Sequence, residues 1–143
     1  MSKIFFVLIL SVVTCGCASI KEAGRCVLGV STKVVEDTRP GAIKKTFNQD
    51  YASSYDKIKE CLKKTHSYIY SEDKAKHLIA VYLSETDTTP VGVFITEIDK
   101  QNTQVEISSP STYAKEKVAL RIFNTLAGLP LPEEKDNEGQ IEI

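Results

Sequence analysis

The residues best equipped for chemistry are four cysteines (Cys15, Cys17, Cys26, Cys61) and two histidines (His66, His77). Metal sites set such ligands at short, recurring spacings, because one helix turn or tight loop must aim two of them at one ion. His66 and His77 lie eleven residues apart, and neither has a second His or a Cys at such a spacing. His66 reads more simply as a charge near a helix C-terminus, where the helix dipole favours it. No Gly-rich loop leads into Lys-Ser/Thr, and no Gly-x-Ser-x-Gly elbow is present. Asp37, Asp50, Asp56, Glu72 and Asp73 are separate acids that solvation explains. These residues predict a protein that is not an enzyme and that has neither metal nor cofactor. Lys and Arg total 18 against 19 Asp and Glu. A protein that binds by neutralising phosphates needs a basic excess, so nucleic acid is not an expected partner.

Cys15 and Cys17 sit at the end of a different signal. Lys3 precedes an apolar run, Ile4–Val13, interrupted by one Ser, and Thr14-Cys15-Gly16-Cys17 follows. Ten helical residues rise about 15 Å, half of a ~30 Å hydrocarbon core, so the run is too short for a stable span. It reads as a secretory signal peptide. Its end resembles the lipobox of bacterial lipoproteins, in which a small residue precedes the Cys that is acylated and becomes the new N-terminus. Gly16-Cys17 fits that pattern best, although Thr14 stands where Leu is usual. Cleavage before Cys15, or ordinary cleavage after Ala18, are the alternatives. The resemblance implies a lipid anchor on Cys17, each buried methylene contributing about 0.8 kcal/mol. Ala18 is not the Asp that retains such proteins at the inner membrane, so the implied address is the outer membrane, facing the periplasm.

Processing leaves 17 basic and 19 acidic residues, with five acids against Lys135 in the stretch 130–143. Cys26 and Cys61 then remain as a pair in an oxidising compartment, where a disulfide is permitted. Closing that loop would stabilise by about 3.8 kcal/mol on the chain-entropy estimate. The other reading makes Cys61 a small core residue beside Ile58 and Leu62, and Cys26 a free thiol.

The elements that must carry these residues are legible from residue pattern. Residues 17–42 hold Gly24, Gly29, Pro40 and Gly41 without clean periodicity, which predicts a lipidated tether, with a candidate strand at 26–35. A first strand is expected over 43–51. Ser53 or Ser54 then caps a helix over 53–65, with Tyr55, Ile58 and Leu62 on one face. Strands follow at 67–71, 77–83, 91–96 and 103–107. The last alternates Val105 and Ile107 with Gln104 and Glu106, predicting one wet face. Ser111 or Thr112 caps a second helix ended by Gly128 and Pro130. Tyr68, Tyr70 and Tyr82 fall where two of these strands share a surface, a candidate binding patch, while Tyr113 opens the last helix. The expected architecture is α+β, an antiparallel sheet of about four strands with two helices packed on one face. The globular domain is placed at 43–129 and an acidic, solvated tail at 130–143.

Thr46-Phe47, Tyr51-Ala52, Tyr55-Asp56 with Leu62, Glu72-Asp73 and Thr103–Ile107 carry a further likeness, over 44–126. In these the chain resembles short bacterial envelope lipoproteins grouped as a domain family of unknown function. It departs from them in lacking a long Gly/Ala-rich stretch after the anchor Cys. The resemblance implies a fold and an address rather than a reaction. The expected function is a non-enzymatic lipoprotein that scaffolds or binds an envelope protein partner. A small-ligand or lipid carrier, with a pocket between sheet and helices, is the alternative.

Overall fold

The computed structural model describes residues 31–132. Five strands form one antiparallel sheet: β1 (Ile43–Phe47), β2 (Tyr68–Asp73), β3 (Leu78–Tyr82), β4 (Pro90–Asp99) and β5 (Asn102–Ser108), in the spatial order β1-β5-β4-β3-β2. Short turns join β2 through β5 as a meander, and β1 lies against β5 with Ile43 opposite Ile107 and Phe47 opposite Thr103. Both long helices, α2 (Tyr51–Lys64) and α3 (Thr112–Leu126), pack on one face. The α+β class and the helix arrangement are as expected from the sequence, with one more strand than the four anticipated.

Alternation along the strands decides the two faces. Val91, Val93, Ile95, Val105 and Ile107 point to the helices, where Ile58 and Leu62 of α2 and Val118 and Ile122 of α3 close the core. All of these are at most 1% exposed. These side chains interdigitate between the sheet and the helices.

The helix ends follow capping chemistry. Asp50 rather than Ser53 or Ser54 caps α2, its carboxylate accepting from the Ser53 amide at 2.9 Å. Starting one turn early brings Tyr51 into the helix, where its ring stacks on Tyr55. β1 correspondingly ends at Phe47 rather than 51. The cap of α3 is Ser111, as anticipated. Both helices close with the paired bonds of a Schellman motif. At α3 the Leu129 amide donates to the Asn124 carbonyl and Gly128 takes φ +70°; at α2 the Ser67 amide donates to the Leu62 carbonyl, and His66 must take φ +54°.

The largest difference from expectation is at 32–42, anticipated as tether. The compact unit begins at Thr32, not Ile43. A short helix, α1 (Lys33–Asp37), and a 3-10 turn at Arg39–Gly41 lie on the second face of the sheet. Val35 is fully buried there against Leu78, Ala80 and Phe94. The fit depends on Gly92, since a Cβ at that position would lie 2.8 Å from the Val35 Cβ and 3.0 Å from the Ser108 hydroxyl oxygen. That hydroxyl donates to the Val35 carbonyl at 2.7 Å. One buried side chain in a five-residue helix is too short a signal for periodicity to reveal. The candidate strand at 26–35 is helical from Lys33; its earlier part lies outside the described residues.

Candidate functional site

The second face of the sheet gathers the three tyrosines. Strand pairing sets Tyr68 of β2 directly opposite Tyr82 of β3, and a bulge between Ile69 and Ser71 makes Tyr70 an extra residue. Bulges re-aim side chains, and this one lays the Tyr70 ring on Tyr82 with centroids 4.3 Å apart. Tyr68 also stacks with Tyr82, at 6.2 Å between centroids and with the rings 10° from parallel. The result is a stack of three rings over the outer two strands. Tyr68 is 52% exposed, whereas Tyr70 packs against the Val35 cluster and is half-buried. Burial, reinforced by the neighbouring Tyr82, pushes the Tyr70 phenol up to about 12, so it stays neutral and hydrogen-bond competent at any physiological pH.

Beside this stack lies a charged group that the alternation of β5 only half revealed. Glu106, expected on a wet face, is 5% exposed because Arg39 closes over it. Arg39 binds it through two nitrogens, Nε at 3.2 Å and Nη2 at 3.0 Å, and the Lys44 ammonium adds a third contact at 3.2 Å. The same guanidinium covers the Phe94 ring at 4.2 Å. The Arg39 hydrogen bonds hold the Glu106 carboxyl below the usual carboxylate range despite the opposing effect of burial. This cluster is satisfied within the domain and holds the 3-10 turn on the sheet.

A second polar group joins α2 to the β2–β3 hairpin. The Tyr55 hydroxyl donates to Glu72 at 2.6 Å, and Lys59 pairs with the same carboxylate at 2.9 Å. Burial, with that carboxylate alongside, pushes the Tyr55 phenol up to about 12. Tyr51 meets the His77 ring edge-on at 5.7 Å. Glu72 thus has its partners, and Asp50 is spent on a cap. Asp73 orders its own turn through the Ala75 amide. Asp56 sets its negative charge near the same Tyr55 hydroxyl. His66 and His77 stand at opposite ends of β2, both with positive φ. Among the described residues no three His, Cys, Asp or Glu side chains are grouped as a metal would need.

Cys61 is a free thiol, 1% exposed, on the core side of α2. Burial raises its pKa, and contacts from Thr125 and Arg121 only partly oppose that, which favours the unreactive thiol form. It lies against a groove of about 270 Å³ whose walls include Thr125, Leu129 and Leu131. Cys15, Cys17 and Cys26 lie outside the described residues. Tyr113 is 64% exposed on α3, apart from the three-ring stack, with Lys117 over its ring. Among the described residues no helix is long and apolar enough to cross a membrane. No known family model matches this chain, and no curated protein matches it either.

Proposed function

We propose that this protein is a lipid-anchored bacterial envelope lipoprotein, not an enzyme, whose domain docks an envelope protein through the sheet surface built by Tyr68, Tyr70 and Tyr82. The observation that carries the docking part is the three-ring stack: large, stiff aromatic area is set on a half-open sheet edge with little left to order on binding. The signal-like run and Gly16-Cys17 support the anchor, with acylation at Cys17 and an outer-membrane address facing the periplasm. A photo-crosslinking residue placed at Tyr68 in living cells tests the docking. The same envelope protein should be captured repeatedly from position 68 and not from Glu85, an exposed loop position; no capture from 68 overturns the reading. Intact mass of the chain purified from membranes tests the anchor separately. The expected mass lacks residues 1–16 and gains acyl chains on Cys17, and an unacylated chain would refute it.

A further inference from the structure

The strap that crosses the second sheet face, residues 32–41, is fastened differently from the strands beneath it. Each strand is held to its neighbour by a ladder of backbone hydrogen bonds. The backbone bonds of the strap run along the strap itself, Glu36 to Thr32, Thr38 to Val34, Gly41 to Thr38 and Ala42 to Arg39. Among the described residues, no backbone–backbone bond joins it to the sheet. Side chains do that instead. Glu36 pairs with Lys76 of the β2–β3 turn at 2.9 Å, and Arg39 pairs with Glu106 at 3.0 Å. The Ser108 hydroxyl donates to the Val35 carbonyl, and the Lys115 ammonium of α3 donates to the Gly41 carbonyl at 2.8 Å. Within α1 only Val35 is buried. A five-residue helix is not stable on its own, so the strap keeps its shape only while these fastenings hold.

What the strap covers is continuous with the tyrosine surface. Leu78, Ala80 and Tyr82 are alternate residues of β3 and share one face. Val35 packs on Leu78 and Ala80, together with Phe94, which pairs across from Leu78. Tyr82 carries the ring stack, and Tyr70 touches both the stack and the Val35 cluster. One part of a single apolar face is therefore under the strap, and the remainder is the tyrosine surface. Lifting the strap breaks no strand pairing.

We propose that residues 32–41 are a lid. The strap opens as a unit while the sheet and both long helices stay folded, and opening adds Leu78, Ala80 and Phe94 to the surface that docks the partner. Closed, it confines the partner to the three rings, an autoinhibitory contact within the chain. That use of the lid rests on the docking reading; the opening itself does not.

Thiol labelling of the full chain carrying Ser108→Cys tests the opening. Ser108 is fully buried under the strap, so a thiol there meets iodoacetamide only when the strap or the whole domain opens. Peptide mapping separates it from the native cysteines. Denaturant dependence scales with the surface exposed, so labelling at 108 should rise far less steeply with urea than unfolding of the domain. Equal slopes would overturn the lid. Lys76→Ala removes the Glu36 fastening and should speed labelling by about threefold. Arg39→Ala should speed it by about tenfold or more. Lys59→Ala, which breaks the Glu72 pair on α2, should leave it unchanged. No acceleration in either strap variant would also overturn the lid. In cells, crosslinking from position 68 should capture more of the same envelope protein when Lys76→Ala is present. Capture that Lys76→Ala leaves unchanged would overturn the autoinhibitory role. No capture with or without Lys76→Ala would defeat the docking reading and that role together, while the urea slope decides the opening by itself.

Discussion

Glu106 shows how a single side chain ties pH to stability. Its carboxylate is buried and held ionised chiefly by Arg39, so its pKa is lower folded than unfolded. Such a group stabilises the fold above the unfolded value, near 4.5, and that stability drains away as pH falls through the lower, folded value. Acid unfolding should therefore steepen below pH about 4.5. Arg39→Ala should cost about 2 kcal/mol at neutral pH, because it strands part of a buried charge, and should flatten that acid limb. Urea melts of both proteins at pH 7 and pH 4 measure the two effects together. Cys61 gives a second residue-scale expectation. Its thiol should ignore an aromatic disulfide reagent in the native protein and react once urea unfolds it. A Cys61 that stays blocked in urea without reductant would instead be bridged to Cys26. Little of this was legible beforehand: Glu106 followed the strand alternation, but its burial depended on Arg39, 67 residues away in the chain.

At the scale of elements, the two long helices end by the same motif on different residues. Gly128 reaches positive φ at no steric cost, whereas His66 does so against its Cβ. His66→Gly should therefore raise stability by about 1 kcal/mol, and Gly128→Ala should lower it by a similar amount. Thermal melts of the two variants should move in opposite directions. The small helix α1 offers a sharper test of close packing. Gly92→Ala drives a methyl into Val35, and overpacking of this kind costs about 1–3 kcal/mol. Hydrogen exchange should show the loss first in α1 and at its Ser108 contact. Strand and helix positions were readable because their periodicities extend over many residues. The start of α2 was misplaced because Asp50, Ser53 and Ser54 are all good caps, and packing of Tyr51 and Tyr55 chose among them.

For the whole described domain, sheet order sets where stability is concentrated. β4 and β5 are central and covered by both helices, whereas β2 is an edge strand with mostly half-buried positions. Native-state exchange should be slowest in β4 and β5 and markedly faster in β2. Tyr68→Ala, at the exposed end of that edge, should change stability by no more than about 0.5 kcal/mol while abolishing co-purification of the proposed partner. A large loss of stability would mean the stack is principally core, and Tyr70 and Tyr82 already lean that way.

Local chemistry in the sequence determined the alternating strands, the amphipathic helices and the α+β class, because each is written in neighbouring residues. It also marked Tyr68, Tyr70 and Tyr82 as candidates, since strand periodicity alone brings the first two to one side. Tertiary structure decided that a bulge turns all three rings into one stack. It likewise decided that residues 32–41 fold over the second sheet face rather than trailing as tether, and that Glu106 is buried. These features join residues far apart in the chain, and their free energy comes from complementary shape and charge that exist only once the sheet has set its register.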